Sequence, residues 1–175
     1  MKKIVQSPAS ATIINAMATG SGSAFGIDLN NIIQAEMINE NIECISDIGA
    51  DPKLMYKCVD KVLEYYELKK DDLSFGIKIG TESHIPLGSG LSSSSALSNA
   101  VTMATAALIS EELNLKPLTD MEIIDLAIDA SLDCGVTITG SFDDATASYF
   151  GGVLITDNYN RKIILKEDMV ENNVL

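Results

Sequence analysis

The residues Pro86-Leu87-Gly88-Ser89-Gly90-Leu91-Ser92-Ser93-Ser94-Ser95-Ala96 form the most informative stretch of this chain. Residues 73–83 before it alternate between apolar and polar, which predicts a strand, and an alanine-rich run to about Leu113 after it predicts a buried helix. Gly88 and Gly90 permit backbone torsions that a Cβ atom would block. The serines stand where the first N–H groups of a helix lack partners. Together these N–H groups, the helix dipole and the hydroxyls predict an anion site.

Two better-known phosphate loops do not fit this stretch. A Walker loop requires a Gly-Lys-Ser/Thr sequence, and no lysine lies between Leu87 and Leu115. A dinucleotide fingerprint requires a third glycine, where Ser93 stands, and a parallel βαβ unit. The alternative to phosphate binding is a serine-rich helix cap after a flexible turn. A cap needs only one serine, and consecutive serines are unfavourable in a helix, so we favour a phosphate loop.

The composition restricts the classes of partner. The chain has 175 residues, of which 46% are hydrophobic, and this is enough for one domain with a core. Its formal net charge is −13 and Arg161 is its only arginine, so we expect neither nucleic acid nor an anionic membrane surface as a partner. No apolar run approaches the ~18 residues of a membrane span. Cys44, Cys58 and Cys134 are too widely spaced for a metal knuckle or a redox pair, which favours buried thiols in a reducing cytoplasm.

The first part of the chain is rich in predicted strands. Residues 2–7 and 10–16 are β-branched runs separated by Pro8, and they predict a broken edge strand or a hairpin. Residues 19–26 predict a glycine/serine loop. Two paired strands then follow across a polar break at residues 39–41.

Helices predominate in the second part, so the fold class is α+β. Pro52 begins an amphipathic helix, because proline is favoured in the first helical turn. Thr119 and Glu122 fit a capping box for a helix that runs to about Leu132. A final hairpin is predicted around residues 158–160.

A second motif, GSFDDATASYFGG at residues 140–152, predicts a turn and a short helix that ends in two glycines. Asp143 and Asp144 lie at the start of this helix. A carboxylate there can orient and deprotonate an attacking hydroxyl. Alternatively, one of the two acids caps the helix. Two adjacent acids leave one residue for each role.

The stretch at residues 86–96 resembles the phosphate loop of the GHMP kinases, which include galactokinase, homoserine kinase, mevalonate kinase and phosphomevalonate kinase. The pattern of that loop is Pro-x-x-x-Gly-Leu-Gly-Ser-Ser-Ala, and the match runs from Pro86 through Ser94. Ser92 departs from the pattern, because it stands at the third glycine of the family. The resemblance implies that the loop binds the phosphates of ATP and that Ser94 ligates Mg²⁺.

The same resemblance implies roles for three acids. Counting back from the two glycines places the family's catalytic aspartate on Asp144, with Asp143 beside it. In the mevalonate kinase branch an acidic Mg²⁺ ligand precedes that aspartate, and Asp133 stands at the corresponding spacing. Asp133 at the end of a helix could equally be an ordinary exposed acid.

Residues 10–29 and 139–152 resemble the archaeal type of shikimate kinase, a branch of this superfamily. This implies transfer of the γ-phosphate of ATP to a small-molecule hydroxyl, with shikimate as the expected acceptor. It also implies that Gly20, Gly22, Ser23 and Ala24 line the cleft. Ser10 stands near the place where several relatives carry a lysine, so we expect an acid-only arrangement around Asp144. The alternatives are a homoserine or mevalonate type of kinase, or a non-catalytic nucleotide-binding module.

The resemblance also implies a fold and a domain organisation. The fold is that of ribosomal protein S5 domain 2, a mixed sheet packed against helices. Residues 1–160 correspond to the N-terminal ATP-binding domain of these kinases. Residues 161–175 correspond to the start of the connection to a ferredoxin-like C-terminal domain. We therefore expect a missing C-terminal domain or a separate partner subunit, and this chain alone is expected to be an incomplete enzyme.

Overall fold

The computed structural model describes residues 1–49, 51–86 and 88–169. The strands are β1 (Lys2–Ile14), β2 (Ser21–Ile38), β3 (Ile42–Ile45), β4 (Gly76–Ser83), β5 (Val153–Asp157) and β6 (Lys162–Glu167). The helices are α1 (Lys53–Tyr65), α2 (Ser93–Glu112), α3 (Asp120–Asp133) and α4 (Phe142–Phe150), and a 3₁₀ turn covers Lys70–Asp72. Leu87 of the predicted phosphate loop and residues 170–175 of the predicted connection lie outside the described residues.

Strand β2 is the centre of a six-stranded mixed sheet, and its 18 residues are long enough to pair with three neighbours. Along one edge it pairs with β1 in antiparallel fashion. Along the other edge its first part pairs with β5 and its second part with β4. Strand β3 joins β4 in parallel, and β6 completes a hairpin with β5. The predicted α+β class and mixed sheet are therefore confirmed.

The structure corrects three predictions in the first part of the chain. The strands on either side of residues 39–41, β2 and β3, do not pair with each other, because β4 lies between them. The hairpin alternative around Pro8 is wrong, because β1 is one strand whose register shifts between Pro8 and Ala9. The glycine/serine loop at residues 19–26 is also wrong from Ser21 onward, where β2 begins. The glycine at residue 26 allows β2 to pack closely against the end of α4. A Cβ atom on Gly26 would lie 2.8 Å from the Cα atom of Gly151 at the end of α4.

The main core lies between the sheet and helices α1 and α2. Its fully buried side chains include Ile33, Ile77 and Ile79 from the strands, Met55 and Val59 from α1, and Val101 and Leu108 from α2. Each such side chain contributes about 1.5–3 kcal/mol on transfer from water. Helix α2 is buried on most sides, as its alanine-rich sequence predicts. The predicted capping box at the start of α3 is confirmed.

The last hairpin is attached to the helical layer by the one arginine of the chain. Arg161 donates to Asp125 at 3.1 Å and to Asp129 at 2.7 Å, both on α3. Residues 162–167 fall in the range predicted as a connection, and they form part of the sheet as β6. The domain boundary itself stays a prediction. No helix within the described ranges is long and apolar enough to cross a membrane.

The three thiols differ in exposure. Cys44 and Cys58 are buried, as predicted, and burial raises the pKa of each thiol to about 12. Cys134 is only partly buried.

Candidate functional site

The loop between β4 and α2 is open on its outer side. Gly88 and Gly90 have φ angles of +68° and +73°, a region that favours glycine. Nothing lies within 4 Å of the position that a Cβ atom on either residue would take. The Ser89 hydroxyl donates to the Pro86 carbonyl oxygen at 2.8 Å, a bond within the loop itself. The loop therefore leaves room for a ligand above its glycines.

Helix α2 begins without a side-chain cap. Ser92, its N-cap residue, has φ +52° and ψ +37°, and its side chain makes no capping hydrogen bond. This left-handed conformation explains why a glycine suits the position, and a serine there costs roughly 1–2 kcal/mol. The first-turn N–H groups of Ser93, Ser94 and Ser95 point out of the helix start. A 20-residue helix adds the positive end of its dipole at the same place. This is the geometry of an anion site.

A cavity of about 130 Å³ adjoins the helix start. Ser93 and Ser94 form one of its walls, and Ile48, Ile85 and Leu97 make it largely apolar. The turn after β3 forms another wall, which Asp47 holds in place. Its carboxylate accepts from the Thr81 hydroxyl at 2.6 Å and from the Ser83 N–H at 2.9 Å. The cavity therefore has the apolar walls that a flat heterocycle beside a phosphate site requires.

Asp144 lies in the first turn of α4, facing both β1 and the loop. The Thr12 hydroxyl donates to its Oδ1 atom at 2.9 Å. Burial raises the pKa of Asp144, and the charge of neighbouring Asp143 raises it further, while the Thr12 and Ser92 hydroxyls oppose the rise. A half-buried carboxylate with a raised pKa and a fixed orientation is suited to accept a proton.

Asp143 is more deeply placed, with 4% of its surface exposed. The Asn158 side chain donates to its Oδ1 atom at 2.8 Å, and the Thr156 hydroxyl in turn donates to Asn158 at 2.7 Å. Gly22 of β2 lies directly behind it, because a Cβ atom there would stand 2.6 Å from Asp143 Oδ2. Asp143 is therefore a fixed charge under the cleft, held by the hairpin turn between β5 and β6.

A cavity of about 280 Å³ opens above these two acids. Polar residues that line it include Asn15, Thr137, Thr139 and Ser141. No lysine, arginine or histidine is among the described residues that line it. Such a lining suits a ligand that carries several hydroxyl groups, and it offers no positive charge to an anionic group.

The structure brings the phosphate loop and the acid pair together. The Ser92 side chain acts directly on Asp144, and the Ser10 N–H donates to the Leu91 carbonyl oxygen at 3.3 Å. Both Asp143 and Asp144 line the larger cavity, whereas Ser94 lines the smaller one.

Asp133, the other predicted metal ligand, is not brought to this place. Its carboxylate pairs with Lys61 at 2.9 Å and with Lys57 at 3.8 Å, both on α1. The bond from Lys61 lowers the pKa of Asp133. No cluster of three or more acidic, histidine or cysteine side chains suited to a metal ion occurs within the described part of the chain. The ion pairs speak against a ligand role for Asp133.

The residues predicted from resemblance to line the cleft lie behind it. Gly22, Ser23 and Ala24 belong to β2, and the latter two are buried. Gly20 accepts the Asn158 N–H at 2.7 Å, and its Cα packs beneath the ring of Tyr159. Gly22 packs against Asp143, and none of the four is among the described residues that line either cavity.

Two residues that contact the acid pair were not predicted from the sequence. Thr12 is 132 residues away from Asp144, and Asn158 is 15 residues away from Asp143. Thr12 lies in the stretch at residues 10–29 and Asn158 in the predicted final hairpin, but neither pattern indicates a contact with the acids, which the three-dimensional fold creates.

Comparison with known proteins gives a consistent result. Residues 53–152, more than half of the chain, match the family described as GHMP kinases N terminal domain. The chain is 59% identical to a shikimate kinase of Methanobrevibacter smithii over all 175 residues, which are 60% of that protein. It is 50% identical to a shikimate kinase of Methanothermobacter thermautotrophicus, of which it covers 59%. The chain therefore spans about 60% of the length of these curated relatives.

Solved structures support the fold alone. The mevalonate kinase of Methanococcus jannaschii matches 98% of this chain with a TM-score of 0.75 at 19% sequence identity, and the match covers 56% of that protein. The galactokinase of Lactococcus lactis matches 93% of this chain with a TM-score of 0.70 at 15% identity, and the match covers 46% of that protein.

Proposed function

From the premise that the chain belongs to the GHMP kinases, we propose that it binds ATP and supports transfer of the γ-phosphate to the hydroxyl of a small molecule. We further propose that this acceptor is shikimate, because two relatives at 59% and 50% identity are named shikimate kinases. The active enzyme then consists of this chain together with the part that those relatives have and this chain does not cover.

One observation carries the proposal: β1 links the uncapped start of α2 to the carboxylate of Asp144, because the Ser10 N–H donates to Leu91 of the loop and the Thr12 hydroxyl donates to Asp144. Phosphoryl transfer requires that phosphate oxygens, an attacking hydroxyl and a proton acceptor be held together. The main-chain N–H groups at the start of α2 supply donors for phosphate oxygens, and Asp144 supplies the acceptor. The two parts come from elements that are distant in sequence, so a simple helix cap does not explain their meeting.

We assign the nucleotide to the smaller cavity and the loop. The adenine ring occupies the apolar cavity beside Ile85 and Leu97, and the phosphates extend over Gly88 and Gly90. The loop contains no basic side chain, so the phosphate charge is met by N–H groups, by the helix dipole and by a metal ion.

The available side chains fit an Mg²⁺ ion that is held mainly by the nucleotide. Mg²⁺ prefers oxygen ligands and usually keeps several waters while it binds phosphates and one or two protein groups. Ser94 stands in the first turn of α2, where we place the phosphates, and its hydroxyl is the ligand that we propose. When bound, the ion supplies charge neutralisation for the phosphates. Asp133 does not enter the proposal, because Lys61 and Lys57 already hold it.

The acceptor occupies the larger cavity, above the acid pair. Its attacking hydroxyl gives its proton to Asp144, whose raised pKa makes it a stronger base than an exposed aspartate. Asp143 remains in place as a buried charge. The carboxylate of shikimate meets no basic side chain among the described residues that line this cavity. We therefore propose that its cationic partner comes from the part of these relatives that this chain does not cover, or from a separate subunit.

Two measurements test the proposal. Mg²⁺-ATP should raise the melting temperature of this 175-residue chain, and the absence of any shift would contradict nucleotide binding. ADP release should then be followed with the chain completed by the 40% of the Methanobrevibacter smithii relative that it does not cover. Shikimate, homoserine and mevalonate are the acceptors to compare. Turnover with homoserine or mevalonate but not with shikimate would overturn the assignment of shikimate as the acceptor. A thermal shift without turnover on any acceptor would instead favour a non-catalytic nucleotide-binding module.

A further inference from the structure

Two hydroxyl residues of β1 contact α4 on either side of an irregularity in the pairing of β1 with β2. In a regular strand, residues three apart point to opposite faces. Ser7 and Ser10 nevertheless both contact α4: the Ser7 hydroxyl donates to the Ser148 carbonyl oxygen at 2.7 Å, and the Ser10 hydroxyl to the Asp144 carbonyl oxygen at 3.3 Å. The pairing is irregular between these two residues: Pro8 is opposite Asn30 and Ala9 is opposite Ile27, so that two residues of β2 bulge out and the regular alternation is interrupted.

The residue two positions beyond Ser10 reaches the carboxylate itself. Thr12 donates to Asp144 Oδ1 at 2.9 Å, and it lines the larger cavity. The Ser92 hydroxyl of the loop also interacts with this carboxylate and lowers its pKa. The N–H of Ser10 also bonds to Leu91 at 3.3 Å, so β1 connects the loop to α4. The Asp144 side chain is thus held between two elements, and no basic side chain takes part in ion pairs with it among the described residues.

The geometry points to Thr12 as a positioning residue for the reaction, whose hydroxyl fixes Asp144 Oδ1 and leaves Oδ2 directed at the acceptor hydroxyl. This inference rests on the proposed function. An aspartate in the first turn of a helix can otherwise turn back to bond its own N–H groups. A donor on β1 prevents that, and a displacement of about 1 Å at a reacting group can cost roughly a hundredfold in rate. In this chain the Thr12 hydroxyl orients the Asp144 carboxylate, as a basic side chain paired with it would otherwise do.

A matched pair of variants tests the inference on the chain as it stands. Thr12→Val keeps the shape and the strand preference of the side chain but removes the hydroxyl, whereas Thr12→Ser keeps the hydroxyl. Thr12 is exposed at the strand surface, so both variants should fold. NMR titration of the Asp144 carboxyl carbon should show a higher pKa in Thr12→Val, because a donor to the ionised form is lost. Thr12→Ser should resemble the wild type. The charged neighbour, Asp143, is the same in all three proteins. An unchanged pKa in Thr12→Val would overturn the inference.

Turnover supplies the second readout, in the enzyme completed with the C-terminal part of the Methanobrevibacter smithii relative. Thr12→Val should lower kcat roughly tenfold or more with the KM for ATP and for the acceptor within about twofold, and Thr12→Ser should restore most of it. In an Asp144→Asn background, Thr12→Val should cost nothing further. A rise in the acceptor KM at constant kcat would mean that Thr12 binds the acceptor, and would overturn the positioning role. If no acceptor is turned over by any protein while the NMR result holds, the proposed function fails and the role of Thr12 in orienting Asp144 stands.

Discussion

The phosphate loop and the acid pair lie side by side, but they are built in opposite ways. The loop is one contiguous stretch whose two glycines have open space where a Cβ atom would stand. Its Ser89 hydroxyl donates to Pro86, only three residues away. The acid pair is held by Thr12 and Asn158, which approach from β1 and from the last hairpin. A loop that is specified locally can be recognised from its sequence. A cleft that is assembled from distant segments depends on the whole fold.

This difference has a consequence for substitution. Changes in the loop should act on ligand binding with small effects on folding, because few contacts are lost. Changes beneath the acid pair should act on folding as well, because each contact there joins two elements. We therefore expect substitutions in the two regions to differ in their effects on turnover and on stability.

The largest effect should come from Asp144→Asn. Removing the base should lower kcat by about 10²–10⁴-fold in the completed enzyme, since positioned proton acceptors contribute this much. Asparagine keeps the Oδ1 acceptor for Thr12, so the thermal shift that Mg²⁺-ATP produces should be retained. Coupled ADP release and thermal denaturation measure the two quantities. A variant that loses turnover and the ATP-induced shift together would show that the loop and the acid pair do not act separately.

The extent of sequence-based prediction follows the same division. The loop from Pro86 to Ala96 and the acids at 143 and 144 could be predicted, because each lies within a contiguous motif whose spacing reflects local geometry. The capping box at Thr119 and the final hairpin could be predicted for the same reason. The roles of these residues are those that resemblance to a family implies, and they stay predictions.

Long-range pairing could not be predicted in the same way. The glycines at residues 20–26 indicated a loop, but most of them lie in or beside β2, where neighbours approach too closely for a side chain. Asp133 has the spacing of a metal ligand, yet α1 presents Lys61 and Lys57 to it. Thr12 has the sequence of an ordinary strand residue, and only the packing of α4 against β1 brings Asp144 to it. In each case the deciding neighbour is distant in sequence.

The second largest effect should come from Gly22→Ala, compared with Gly80→Ala. The new Cβ atom at residue 22 would stand 2.6 Å from Asp143 Oδ2, whereas at residue 80 it would meet nothing within 4 Å. Both glycines lie in strands, so the pair isolates the clash. We expect Gly22→Ala to lower the free energy of unfolding by about 1–3 kcal/mol.

Urea denaturation of the two variants measures this difference. Gly80→Ala should stay within about 0.5 kcal/mol of the wild type. Equal stability of both variants would mean that the acid pair adapts to local change as easily as the open loop does, and the contrast between the two regions would not hold.

A smaller effect is expected at the turn of the last hairpin, from Asn158→Leu compared with Asn160→Leu. Asn158 donates to the buried Asp143 at 2.8 Å, and Asn160 donates to the exposed Asp157 at 2.7 Å. Loss of the first bond leaves a buried acceptor without its partner, which costs about 1–3 kcal/mol. Loss of the second leaves an acceptor that water can reach, and should cost less than about 1 kcal/mol. Chemical denaturation separates the two. A larger loss in Asn160→Leu would show that the turn itself, and not the bond to Asp143, determines stability here.

The smallest expected effect is on the free energy of unfolding, which should depend on pH through the ionisation of Asp144. Burial and the nearby Asp143 raise the pKa of Asp144 in the folded protein above its value in the unfolded chain. The folded state therefore binds the carboxyl proton of Asp144 more tightly than the unfolded chain does. At a pH above the folded pKa, the ionised Asp144 lowers the free energy of unfolding. This loss disappears as the pH falls toward the unfolded pKa near ~3.9. Asp144→Asn removes the ionised form, and should raise the free energy of unfolding at pH 7 by less than about 1 kcal/mol, a gain typical of replacing a functional residue. The gain should shrink when the same denaturation is repeated near pH 4, whereas Ser93→Ala in the loop should show a difference from wild type that does not vary with pH. An Asp144→Asn variant that is less stable at pH 7 than the wild type would mean that the hydroxyls of Thr12 and Ser92 outweigh burial, and that the acid pair is no more strained than the loop beside it.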